Sequence, residues 1–270
     1  MKKELLIKSR HNALSQRLGI HKTQKYSGSD EFTRLREYMV GDDVRFIDYR
    51  ASARGDGVYF REYRDSSELN IATVAMLGGS MMFGTSRLKL EVVQEIVATI
   101  GYSTLDDNFS HFMLTDSNLR RFESKKSRYH INQIVDSMDN LVLYGSEPDI
   151  QNGLKELSAR LKKRKILIFI GDFYSVINFK ALLKKHEIFA IIVRDRFEEN
   201  PELLGFNTLY NPSDATSFST NITNSDLDDF KRFIYESDIK IERALYDSHI
   251  RFIKIYSDDD VYAKLRELFR

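Results

Sequence analysis

Four short apolar runs constrain this chain more than any other feature: residues 69–76 (Leu-Asn-Ile-Ala-Thr-Val-Ala-Met), 111–115, 166–170 and 188–193. The first is nearly continuous, with no regular polar alternation. That pattern suits a strand covered on both faces, as in a parallel sheet. Helical patterns fall between the runs. Ser86 is placed to cap a helix over residues 87–105, with Leu88, Val92, Val93, Ile96 and Ile100 near one side. Further helices are expected near residues 129–138, 149–163 and 178–185, with a long one over 225–248. A last strand covers 251–256 and a last helix 259–269. Residues 118–123 read as a short hairpin partner. Pro201 and Pro212, with weak strands at 206–210 and 217–221, predict an excursion at a sheet edge near residues 197–222. Strands alternating with helices imply an α/β fold, Rossmann-like, with a mostly parallel sheet and helices on both faces.

The first quarter of the chain reads differently. A helix is expected over residues 5–18, with Leu5, Leu6, Leu14 and Leu18 as its apolar side. Residues 19–66 look irregular, with one extended piece at 58–63. The expected organisation is therefore a segment of residues 1–66 packing on a core of residues 67–270.

Composition removes several function classes. The net charge of +1 over 270 residues gives no global field for nucleic acid or an anionic membrane. The basic runs Lys162-Lys163-Arg164-Lys165 and Lys125-Lys126 read as solvated helix ends and turns. No cysteine is present, so thiolate metal sites and cysteine nucleophiles are excluded. The six histidines are scattered without metal-ligand spacing. No phosphate-loop or dinucleotide glycine fingerprint follows a strand, and no cofactor is implied. The amino-terminal apolar stretch is too short for a signal peptide, and no run approaches the roughly 20 apolar residues of a membrane span. A cytoplasmic location is the expectation.

The densest chemistry lies in the block Arg36-Glu37-Tyr38, Gly41-Asp42-Asp43, Arg45, Ile47-Asp48-Tyr49 and Ala51-Ser52-Ala53-Arg54. Its charges alternate in sign, and Gly41-Asp42 reads as a turn. Asp42, Asp43 and Asp48 with Arg36, Arg45 and Arg54 could form an ion-pair network that pins the segment. An acid/base or phosphate site, as in a hydrolase, is the alternative. This block resembles the signature of domain-of-unknown-function family 58, with Tyr49 where the family more often has Trp. The residues 28–32 that precede it match the family's lead-in.

The resemblance implies a fold similar to von Willebrand factor A domains. In such domains the loop after the first strand carries Asp-x-Ser-x-Ser, and it holds magnesium or manganese with oxygens from two other loops. Here those positions read Met76-Leu77-Gly78-Gly79-Ser80. The aspartate and the first serine are gone, Ser80 remains, and Asp172 stands at the later aspartate position. The loop at 145–149 offers Ser146 and Asp149 but no threonine. A degenerate metal-ion-dependent adhesion site, with no metal, is the expectation, since magnesium needs several oxygens in near-octahedral array. Gly78, Gly79 and Ser80 could instead present backbone N–H groups to a partner carboxylate. Many relatives carry membrane spans ahead of the block, and this chain looks like the short form. Family-58 proteins also resemble partners of MoxR-type AAA+ ATPases. The resemblance thus implies a non-catalytic bacterial protein-interaction module working with such an ATPase, without nucleic acid.

Overall fold

The computed structural model describes residues 30–39, 47–55, 57–65, 69–116, 118–123 and 125–270. The expected helix at 5–18 and the signature residues Gly41, Asp42, Asp43 and Arg45 lie outside the described residues. Two compact units divide the chain, one within Gln24–Glu68 and one containing Leu69–Arg270.

The smaller unit pairs β1 (Asp30–Glu37) antiparallel with β2 (Tyr59–Asp65). Irregular chain was expected over most of this stretch. The register of β1 shifts between Phe32 and Arg34, and such a bulge interrupts the two-residue period by which a strand is read. A short helix, α1 (Tyr49–Ser52), precedes β2.

The larger unit is built on a six-stranded sheet in the order β10-β7-β6-β3-β4-β5. Its strands are β3 (Asn70–Met76), β4 (Asn108–Leu114), β5 (Leu119–Glu123), β6 (Ile166–Gly171), β7 (Glu187–Arg194) and β10 (Arg251–Tyr256). All neighbours are parallel except β4 and β5, which form the expected hairpin. The helices are α2 (Lys89–Ser103), α3 (Arg128–Asp139), α4 (Ile150–Arg160), α5 (Lys180–Leu183), α6 (Arg196–Glu199), α7 (Asn224–Asp247) and α8 (Val261–Leu268).

Alternate residues of each parallel strand enter different cores, which explains the unbroken apolar runs. Ile71, Ala75, Ile168 and Ile191 pack with Val93 and Ile96 of α2, Met138 of α3 and Leu265 of α8. Ala72, Val74, Phe169 and Ala190 pack on the other face with Leu157 of α4, Leu182 of α5 and Leu245 of α7.

Two expectations need correction. Ser86 does not cap α2: Leu88 holds the cap position, and its N–H donates to Glu91 Oε2 at 3.2 Å. Residues on either side of Ser86 are held elsewhere, Thr85 by Asp195 and Arg87 by the Ser257 carbonyl. The excursion is also not a sheet-edge element. It forms a two-stranded ribbon of its own, β8 (Gly205–Asn211) antiparallel with β9 (Thr216–Ile222). Its turn reaches the carboxyl ends of the central strands, where the Gly145 N–H donates to the Pro212 carbonyl at 2.8 Å.

Candidate functional site at the strand ends

From β3 the chain moves to β4 on one side, and from β6 to β7 on the other. The carboxyl ends of β3 and β6 therefore flank a topological switch point, where open α/β sheets bind ligands. Ser80 follows β3 in a 3-10 turn, Gly79–Met82, and Asp172 follows β6 directly. The fold brings these two predicted residues together: Ser80 Oγ donates to Asp172 Oδ2.

A third group joins them that sequence reasoning missed. Lys89, at the first turn of α2, is fully buried. Its Nζ lies 2.6 Å from Glu198 Oε1, 3.7 Å from Asp172 Oδ2 and 3.4 Å from the Tyr174 hydroxyl. Tyr174 in turn donates to Glu198 Oε1 at 2.8 Å. Two cations lie near its ring, with Lys89 Nζ 5.3 Å and Arg194 Cζ 3.9 Å from the centroid. Burial first, then the Glu198 charge, raises the Tyr174 phenol above its ordinary 10.0, so the hydroxyl stays a donor.

The network continues along the strand ends. Arg194 Nη2 donates to Asp238 Oδ1 at 3.1 Å and to the Phe173 carbonyl at 3.3 Å. Phe173 adopts a left-handed φ of 49°, a strained conformation for an aromatic residue. Lys254 Nζ bridges Asp238 Oδ2 at 2.6 Å and Glu199 Oε1 at 2.9 Å. Burial would lower the Lys254 pKa, but those two carboxylates outweigh it and raise it. Asp195 is held the other way. Burial pushes it up, yet bonds from Ser257, Thr85 and the Phe197 N–H hold its carboxyl below the ordinary 3.8.

The divalent ion implied by the von Willebrand resemblance does not fit these residues. The Lys89 ammonium stands beside Asp172 and would oppose any second cation there. Met76 supplies a thioether, the wrong ligand class for a hard ion. Ser146 Oγ donates to the Leu143 carbonyl at 2.7 Å, and Asp149 caps α4. The expected exposed amides at Gly78 and Gly79 are also corrected. Both glycines are buried. The Gly79 N–H donates to the Ser146 carbonyl at 2.8 Å. A Cβ there would fall 1.8 Å from the Pro212 carbonyl oxygen, so glycine is required for the ribbon turn to seat. Ser80 and Asp172 remain accessible, bordering a cavity of about 310 Å³ with Glu147 and Asp149.

The family model described as Protein of unknown function DUF58 matches residues 34–238. The chain is a member of the DUF58 family. An uncharacterized protein of Mycobacterium bovis and one of Mycobacterium tuberculosis are each 24% identical to it over 169 residues, 59% of this chain and 53% of theirs. The DUF58 chain thus spans about half the length of the curated relatives it matches. Among solved structures it is similar to an aerotolerance-related membrane protein from Bacteroides fragilis, at 8% identity and a TM-score of 0.47. That match covers 74% of this chain and 96% of the other. It is also similar to the conserved hypothetical protein BatB from Bacteroides thetaiotaomicron, at 8% identity and a TM-score of 0.44, with the same coverage.

The DUF58 signature residues that are described do local structural work. Asp48 caps α1, accepting from the Arg50 and Ala51 N–H groups at 3.0 Å each. Ser52 Oγ donates to the Asp48 carbonyl and accepts from the Tyr59 N–H, both at 2.8 Å, tying α1 to β2. The Tyr38 N–H donates to the Val58 carbonyl at 2.8 Å. Arg36 stacks over Phe60 at 4.6 Å, and the Glu37 carbonyl accepts from Arg36 Nη1. Arg54 is exposed beyond the helix.

Proposed function

We propose that this protein is a non-catalytic interaction module of the bacterial cytoplasm. On this reading its core is a von Willebrand factor A-like scaffold with a degenerate metal site, and it docks a MoxR-type AAA+ ATPase. The observation that carries the reading is an aromatic surface beside the strand ends. Tyr210 of the ribbon and Phe230 and Phe233 of α7 border a cavity of about 570 Å³ that Ser80 and buried Arg194 also line. Phe233 is 68% exposed and Tyr210 54%. Exposed apolar clusters of this kind mark interaction surfaces, and Tyr, Phe and Arg are enriched where partners dock. The buried Lys89 ammonium, held by Asp172 and Glu198, neutralises part of their negative charge from inside the fold.

Affinity purification of the tagged chain from native cells, read by mass spectrometry, tests this. The wild type should retain a MoxR-type ATPase. Phe233→Asp with Tyr210→Asp should lose it without a change in melting temperature. Retention by the double variant overturns the docking face. Turnover of generic phosphoesters, abolished in Asp48→Asn, would instead establish the hydrolase reading.

A further inference from the structure

The opposite end of the sheet carries a second site. Asn70 and Asn108, at the amino ends of β3 and β4, border a cavity of about 410 Å³. Two basic runs that are far apart in sequence converge on it. Lys125 and Lys126 come from the loop after β5, and Lys162, Lys163 and Lys165 from the loop after α4. This corrects the reading of the two runs as independent solvated ends.

The cations around the cavity are not equally paired. Arg121 bonds Glu123 at 2.5 Å, and Arg160 bonds Glu156. Among the described residues, Lys125, Lys162 and Lys163 have no carboxylate at ion-pair distance. Lys165 Nζ donates to a hydroxyl, Ser110 Oγ, at 3.4 Å. Its pKa is lowered, by burial first and then by the neighbouring Arg121 charge. Lys125 and Lys126 are both left-handed, with φ of 48° and 54°, an unusual conformation for consecutive non-glycine residues. The fold thus gathers seven cationic side chains around a cavity whose described lining holds two acids, Asp107 and Glu123.

We propose that this cleft binds a small ligand bearing two or more phosphate groups, held by Lys125, Lys162, Lys163 and Lys165. Lysine offers compact point charges suited to phosphate oxygens. The cavity volume falls in the range of small-molecule sites, roughly 300–1,000 Å³. Phe109 and Leu161, which also line it, are buried. Recognition therefore rests on charge and not on an apolar body. A macromolecular polyanion is disfavoured because the charges converge on a cavity, and the whole chain has a net charge of only +1.

Isothermal titration of the full chain with inorganic tripolyphosphate tests the proposal, with ATP, a single-stranded oligonucleotide and a glutamate-rich peptide as comparators. Tripolyphosphate should bind saturably and more weakly as salt rises. Affinity should fall by about tenfold or more in Lys162→Glu/Lys163→Glu, and measurably in Lys125→Glu alone. The exposed Lys240→Glu on α7 should bind like the wild type. Equal affinity for ATP would assign recognition to the phosphate chain alone, and tighter ATP binding would assign a nucleotide source. Absence of saturation overturns the proposal, as does an equal loss in Lys240→Glu. Tighter binding of the oligonucleotide or the peptide than of tripolyphosphate overturns it as well.

Discussion

His111 and Thr73 face each other across the parallel β3–β4 pair, and both are fully buried. His111 Nδ1 and Thr73 Oγ1 share a hydrogen bond of 2.8 Å, while His111 Nε2 has no hydrogen-bond partner among the described residues. Burial lowers the His111 pKa from 6.5 to about 3. The unfolded chain therefore binds a proton below pH 6.5 that the native chain refuses. Stability is full above pH 6.5 and is lost as pH falls towards about 3, at about 1.4 kcal/mol per pH unit from this group. Urea unfolding between pH 6 and pH 4 should show that slope in the wild type. It should be reduced by the same amount in Thr73→Val/His111→Leu, where donor and acceptor leave together and no buried group is orphaned. An unchanged slope in the double variant would remove His111 from the acid response. In sequence, His111 is one of several scattered histidines. Only the strand register gives it a hydroxyl partner and a dry environment.

The ribbon and the glycine beneath it set the shape of the strand-end face. Gly79→Ala would drive a methyl group into the Pro212 carbonyl, so the turn must lift or the 3-10 segment must shift. Overpacking of this kind costs about 1–3 kcal/mol, read as a lower urea midpoint with an unchanged slope. On the proposed docking reading, the same variant should also weaken retention of the ATPase, because Tyr210 lies in the strand that leads into this turn. Full stability in Gly79→Ala would show that the turn is not seated there. The sequence did reveal the ribbon as two weak strands, at 206–210 and 217–221, near Pro201 and Pro212. Its position over the strand ends was not legible, because it rests on long-range backbone bonds such as Gly145 to Pro212. The β1 strand was hidden for the opposite reason: a bulge at Phe32/Arg34 breaks the local period. The helix-start expectation at Ser86 failed because the neighbouring Thr85 and Arg87 are drawn to Asp195, just after β7, and to the loop after β10. Tertiary demand there overrode a sound local signal.

At the scale of the whole molecule, the strand-end network predicts indifference to hard divalent ions. With Lys89 beside Asp172, millimolar magnesium or manganese should leave the melting temperature of the full chain unchanged. A ligand present at 100 times its dissociation constant would stabilise the fold by about 2.7 kcal/mol, a shift of several degrees in a domain of this class. A rise of that size, lost in Asp172→Ala, would restore the metal reading. Among the described residues no helix is long and apolar enough to cross a membrane, and no cluster of three or more His, Asp or Glu side chains is arranged to hold a metal.

What the chain determined by itself is the layered sheet. A strand covered on both faces must be apolar at consecutive positions, and that requirement is local enough to read in a single run such as residues 166–170. Ser80 and Asp172 were singled out by the family resemblance, which sets both at strand-end positions, and the fold brings them together. The tertiary structure alone decided which charges gather. Lys89 finds Glu198 at the carboxyl ends of the strands, and Lys125 and Lys163 border one cavity at the amino ends, because crossover connections bring together segments whose separation in sequence carries no trace of their nearness. Charge is long-ranged and indifferent to periodicity, so no local pattern announces where it will converge.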